Sequence, residues 1–182
     1  MFGNIKTMKS HAKSVVAAAS LLALAALSST AEAASGPFVA LAGAWSGGGT
    51  ITMSNGVKER IRCRAQYNVG SSGSNVDLTL KCASDSFTFV LQSNASYSNG
   101  AVSGTWNETT RGVGGSIEGS GKEGSIKVRV SGIISAMLAV NTVADQQSIS
   151  IQAPGTEMQH VAISLSRKPA VQQVSSLSDK AK

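Results

Sequence analysis

Residues 57–82 read VKERIRCRAQYNVGSSGSNVDLTLKC, and their alternation decides the fold. Val57, Ile61, Cys63, Ala65, Tyr67 and Val69 fall in one phase; Lys58, Arg60, Arg62, Arg64, Gln66 and Asn68 fall in the other. A period of two puts successive side chains on opposite faces of a strand. Val76, Leu78, Leu80 and Cys82 alternate in the same way with Asp77, Thr79 and Lys81. Between the runs lies Gly70-Ser71-Ser72-Gly73-Ser74, a stretch of turn-forming residues. Folding the chain about that loop sets Val69 against Val76, Tyr67 against Leu78, Ala65 against Leu80 and Cys63 against Cys82. One register therefore pairs every apolar residue with an apolar partner and brings the sulfurs together. Cys63 and Cys82 are the only cysteines, and their spacing is too wide for a CxxC redox or zinc pair. They are expected to form a disulfide worth about 3 kcal/mol on the chain-entropy account.

The same period recurs along the chain. Phe87, Phe89 and Leu91 alternate with Thr88, Val90 and Gln92, and the pattern runs on to Ala95 and Tyr97. Asn99-Gly100 is the dipeptide best suited to a tight hairpin turn. The return strand sets Val102 against Tyr97, Gly104 against Ala95 and Trp106 against Ser93. Later alternating runs contain Val113–Ile117, Ile126–Val130, Ser148–Ala153 and Val161–Leu165. Ile133–Thr142 is nearly all apolar, so its period is ambiguous, and Ile133, Met137 and Ala139 either pack internally or meet the tail, a loop or a partner. About ten strands fit between Gly43 and Arg167. Their even spacing predicts an all-β, antiparallel up-and-down meander closing into a lipocalin-like barrel.

Composition agrees with this reading. The chain has 182 residues, 42% of them hydrophobic and 14% charged, which excludes a disordered chain. The length suggests one domain, and the 19 glycines lack the three-residue period of collagen. Lys6, Lys9 and Lys13 precede the uncharged run Val15–Leu27, and Ala31-Glu32-Ala33 gives an A-x-A site. This is the layout of a secretory signal peptide, with an apolar run too short to span a membrane as a helix. Residues 1–33 are thus read as the signal peptide, 34–168 as the barrel domain and 169–182 as a flexible tail. Cleavage would leave 13 basic and 9 acidic side chains, a net charge of +4. That is too mild for a nucleic-acid binder. The expected location is periplasmic or secreted.

Little in the sequence points to catalysis. His160 is the one histidine after residue 33 and falls in the polar phase of the last strand. A lone histidine makes neither a metal site nor a catalytic triad. Gly119-Ser120-Gly121-Lys122-Glu123-Gly124 matches G-x-G-x-x-G, but strands flank it on both sides, so it reads as a hairpin turn. Glu59 and Glu108 fall in the inward phase near strand ends, where paired carboxylates could serve acid–base chemistry or orient a polar head group. Lys58, Arg60, Arg62 and Arg64 form an outward basic row that could attract anionic lipid or polysaccharide, or simply be solvated.

Gly43-Ala44-Trp45 at the head of the first strand and Arg167 at the end of the last resemble a signature of the lipocalins and related calycin barrels. The resemblance covers about residues 38–168, without the T-D-Y motif and without a helix after the last strand. It implies that Trp45 packs at the closed end of the barrel beneath Arg167, a cation–π pair. Leu41-Ala42-Gly43-Ala44-Trp45 is also similar to the opening of secreted bacterial metalloprotease inhibitors. Those proteins block a protease with a short N-terminal arm, which here would be Ala34-Ser35-Gly36-Pro37. GAWSGGGTI (43–51), ERIRC (59–63) and SGTWNE (103–108) resemble uncharacterised exported alphaproteobacterial proteins.

The leading functional expectation is a non-enzymatic barrel that binds a small hydrophobic or amphipathic ligand, with no cofactor, metal or nucleic acid. Tyr67, Phe87, Phe89 and Trp106 would line the interior and Glu108 would orient the ligand. The rivals are a protease inhibitor and a ligand-free envelope structural protein. The oligomeric state is left open.

Overall fold

The computed structural model describes residues 36–168. The expected signal peptide, the expected tail, and Ala34 and Ser35 of the expected arm lie outside the described residues. Ten strands follow a short 3-10 turn, Val39–Leu41. They are β1 (Gly43–Met53), β2 (Lys58–Val69), β3 (Asn75–Ala83), β4 (Thr88–Ser98), β5 (Ala101–Glu108), β6 (Val113–Lys122), β7 (Ser125–Gly132), β8 (Ala136–Val143), β9 (Gln146–Gln152) and β10 (Met158–Arg167). Each pairs antiparallel with its neighbours in sequence, and β1 also pairs with β10. The sheet is therefore a closed up-and-down barrel, an arrangement that leaves no unpaired edge.

The β2–β3 register is the one the alternation predicts: Cys63 faces Cys82, Ala65 faces Leu80, Tyr67 faces Leu78 and Val69 faces Val76. The two cysteines are joined as a disulfide and buried. The β4–β5 register likewise pairs Tyr97 with Val102, Ala95 with Gly104 and Ser93 with Trp106. Asn99 and Gly100 both take positive φ, 49° and 87°, as a tight hairpin turn requires. The Gly119–Gly124 motif is a hairpin: β6 ends at Lys122 and β7 begins at Ser125.

Val57 departs from its expected place. It precedes β2 and is exposed, because its carbonyl accepts the Met53 N–H and closes the β1–β2 turn. Ile133 and Met137 also stay exposed rather than covered among the described residues. Ile133 falls in the β7–β8 turn, and Met137 points out from β8 while Ala136, Leu138 and Val140 take the inward phase.

Two glycines shape the wall. A Cβ on Gly104 would collide with the Asn94 carbonyl, and one on Gly115 with the Ser131 carbonyl. At both places a carbonyl of the neighbouring strand occupies the space a Cβ would need, so only a residue without a side chain fits. The outward faces are polar, as in Lys58 to Asn68 of β2 and Ser103, Thr105 and Asn107 of β5. A membrane-spanning barrel needs an apolar outer band instead. No helix among the described residues is long and apolar enough to cross a membrane.

Candidate functional site

The two ends of the barrel differ. At one end the chain enters beneath the strands. Gly36 N–H donates to the Ser72 carbonyl (2.9 Å), Phe38 N–H to Gly73 (3.2 Å), and the Pro37 carbonyl accepts from Gly124 N–H (3.2 Å). Gly36, Pro37, Phe38 and Leu41 are buried there and form a floor. Trp45 lies in this floor at 1% exposure, its indole Nε1 donating to the Leu41 carbonyl at 2.7 Å. The Arg167 guanidinium carbon sits 4.3 Å from the centre of the Trp45 ring. The same guanidinium donates to the Ala42 carbonyl and to the Ala40 carbonyl (2.8 Å), and pairs with Asp145 at 3.0 Å. Gly43, between these groups, takes a φ of 106° and has the Arg167 guanidinium within contact of where a side chain would start. Gly43, Trp45 and Arg167 thus form one clamp that ties the entering chain to both end strands.

Above the floor runs a buried polar chain. The Tyr67 hydroxyl donates to Gln147 Oε1 (2.9 Å), and Gln147 Nε2 donates to Thr142 Oγ1 (3.0 Å). Burial pushes the Tyr67 phenol well above its ordinary pKa, so it stays a neutral donor. Tyr67 therefore belongs to the packed lower interior and reaches no open space.

The other end is less evenly buried. Phe87, Phe89, Leu91, Val113, Val130, Leu138, Ile151 and Met158 pack against the core yet remain only half-buried. These residues sit near the strand ends remote from the floor, where Ile51, Ile61 and Val161 are fully buried. The Trp106 indole lies against Gly115, with which it pairs across β5–β6, and Nε1 donates to the Ser131 carbonyl on β7 (3.1 Å). Of the four interior aromatics expected from sequence, Phe87 and Phe89 lie half-buried toward this end, Trp106 is buried on β5 against β6 and β7, and Tyr67 lies in the lower interior.

Glu108 takes a different role from the one expected. Its Oε1 accepts from Val90 N–H (2.9 Å), Thr110 N–H (3.0 Å) and the Thr110 hydroxyl; Oε2 accepts from Arg111 N–H (2.9 Å) and pairs with the Arg111 guanidinium (3.4 Å). Burial pushes this carboxyl up, but the Thr110 hydroxyl and the three backbone N–H groups outweigh it and hold the pKa at about 2. With every lone pair engaged, Glu108 anchors the β5–β6 turn and offers nothing to a ligand. Glu59 anchors the β3–β4 turn in the same way, accepting from Ser86 N–H at 2.7 Å. That backbone donor, with help from the Ser84 hydroxyl, holds its pKa below the ordinary value. Sequence reasoning missed both roles because the partners are backbone N–H groups of turns, which carry no residue-type signal.

Elsewhere, His160 pairs with the Ser150 hydroxyl across β9–β10 (3.3 Å). Among the described residues no group of three or more His, Cys, Asp or Glu side chains gathers as a metal site would require. On the outside a groove of about 640 Å³ runs along β1, β2 and β3, lined by Gly48, Thr50, Arg60, Arg62 and Ala83, with Ser84 and Asp85 at one end.

This geometry defines a closed ten-stranded antiparallel barrel with a packed floor and partly exposed apolar side chains toward the other end. The solved structure of Rv2717c from M. tuberculosis is similar to it, with a TM-score of 0.57 at 12% sequence identity. The match covers 72% of this chain and 94% of that one, and it shows a shared fold. No family model matches the sequence, and no curated protein matches it.

Proposed function

We propose that this is an exported, disulfide-linked barrel that binds a small apolar or amphipathic molecule at the end remote from the floor. The observation that carries the reading is the contrast between the two ends. Floor residues such as Trp45 and Phe38 are 1% exposed, whereas a group of apolar residues toward the other end, among them Phe87, Phe89, Leu138 and Ile151, is half-buried beside fully buried Ile51, Ile61 and Val161. Pockets for small molecules are concave and mostly apolar, with a few polar groups. Exposed Ile133 and Ile134 in the β7–β8 turn extend the apolar surface at the rim. The signal-like leader and the disulfide between Cys63 and Cys82 support a location outside the reducing cytoplasm.

The N-terminal arm speaks against the inhibitor reading. Gly36 and Pro37, half of the expected arm, are buried on the floor and hydrogen-bonded to the β2–β3 and β6–β7 loops. An arm that reaches into a protease cleft has to project from its scaffold.

Trp45 and Trp106 are the two tryptophans, one in the floor and one on β5. In a Trp45→Phe protein, Trp106 alone reports. Titration with a fluorescent fatty-acid analogue is expected to shift its emission with saturation. Leu138→Phe, which adds bulk at this end without a second tryptophan, is expected to abolish the change while leaving the fold intact by circular dichroism. Equal binding by the bulkier variant, or no saturable signal in its parent, would sink the proposal.

A further inference from the structure

The outer face of β2 carries Lys58, Arg60, Arg62 and Arg64 in one phase, all exposed. Lys81 on β3 sits directly opposite Arg64. Like charges directly across a strand pair are unfavourable. The sheet nevertheless places five cations together. The two ion pairs among the described residues are Arg111–Glu108 and Arg167–Asp145, so no described carboxylate lies within 4.0 Å of this row. Asp85, at one end of the adjoining groove, is the nearest acidic feature of its lining.

The neighbours of the row are small or hydroxylated. Across from Arg64, Arg62, Arg60 and Lys58, β1 presents Ser46, Gly48, Thr50 and Thr52. On the other side β3 presents Thr79, Lys81 and Ala83. The cations therefore stand in a row above small, hydrogen-bonding neighbours, and Arg60 and Arg62 border the adjoining groove. Alternate residues of a strand are about 7 Å apart, so the charges repeat regularly along a line.

We propose that this row, with the groove beside it, binds a linear acidic polysaccharide. Three of the four cations on β2 are arginines, whose planar forks match carboxylates bidentately. The flanking Ser, Thr and Gln66 groups suit the hydroxyls of a sugar chain. The outward positions of β1, β2 and β3 include no aromatic residue, and a single-stranded nucleic acid depends on aromatic stacking platforms. They also include no large apolar side chain to enter a bilayer beside the basic groups, as a membrane-surface site would need. A single line of regularly spaced cations fits a polymer strand better than a plane.

The test uses polygalacturonate as probe, with neutral dextran as control, and the intact barrel with its disulfide. The wild type is expected to bind polygalacturonate, more weakly as salt rises, and to ignore dextran. Arg60→Gln/Arg62→Gln/Arg64→Gln is expected to weaken binding about tenfold or more, at an unchanged melting temperature, since these side chains are exposed. Lys127→Gln/Arg129→Gln removes two cations from β7, five strands away around the barrel in either direction. It is expected to leave binding unchanged. Four results would overturn the assignment: no binding of polygalacturonate, equal affinity in the triple variant, equal loss in the β7 variant, or tighter binding of oligo(dT) or phosphatidylglycerol vesicles.

Discussion

Glu108 shows how one side chain can hold a turn. A carboxylate with a pKa of about 2 in the folded chain and an ordinary value of 4.5 stabilises the fold above pH 4.5. Protonation removes that contribution as the pH falls from 4.5 through about 2. Glu108→Gln keeps the shape but loses charge-assisted hydrogen bonds, and is expected to cost about 1–3 kcal/mol at neutral pH. Urea titrations at stepped pH would show the gap between wild type and variant closing toward pH 2; a constant gap would contradict the assignment. Gly104 makes a second case. Adding a methyl group there drives it into the Asn94 carbonyl, so Gly104→Ala is expected to lose about 1–3 kcal/mol by overpacking. A melting curve matching the wild type would show that the wall can yield. The need for glycine at position 104 is legible as a small residue facing inward, but the colliding carbonyl is not, because it belongs to the backbone of the adjacent strand.

Among the elements, the β2–β3 hairpin was the most legible. Four cross-strand pairs agreed on one register, and any slip of one residue would have turned Arg and Lys inward. Val57 falls outside β2 because its own carbonyl closes the β1–β2 turn, and an alternating pattern does not mark where pairing starts. The Ile133–Val140 segment was ambiguous because both phases were apolar; only the inward fit of Ala136, Leu138 and Val140 separates turn from strand. The floor was hidden for a different reason. Residues 36–42 form no periodic element, and their burial follows from docking against loops distant in sequence. The disulfide belongs to this scale as well. Reducing it is expected to lower stability by about 3 kcal/mol without unfolding the barrel. Denaturant midpoints with and without dithiothreitol measure the loss, and an unchanged midpoint would show that cross-strand packing alone fixes the hairpin.

At the scale of the whole molecule, the barrel is held shut where its ends meet. Arg167 joins the floor to the last strand through the Trp45 ring, two carbonyls and Asp145. Arg167→Ala is expected to cost about 2–3 kcal/mol. Hydrogen exchange should then rise first at Leu41, Ala42 and the start of β1; uniform loss of protection would show that the clamp has no local role. The β1–β10 seam has a further consequence, which concerns the order of events rather than the finished shape. Every other pairing joins neighbours in sequence, but the Arg167–Ala42 contact spans 125 residues. Long loops are closed at an entropic cost that local hairpins avoid, so the seam is expected to zip last. Interactions that form after the transition state govern how fast a protein comes apart. Ile163→Val, a one-methylene deletion in buried β10, should therefore quicken unfolding and leave the folding rate nearly unchanged in stopped-flow chevrons. A molecule closed in this way would owe its persistence to a slow first step of opening, taken at the junction of its two chain ends.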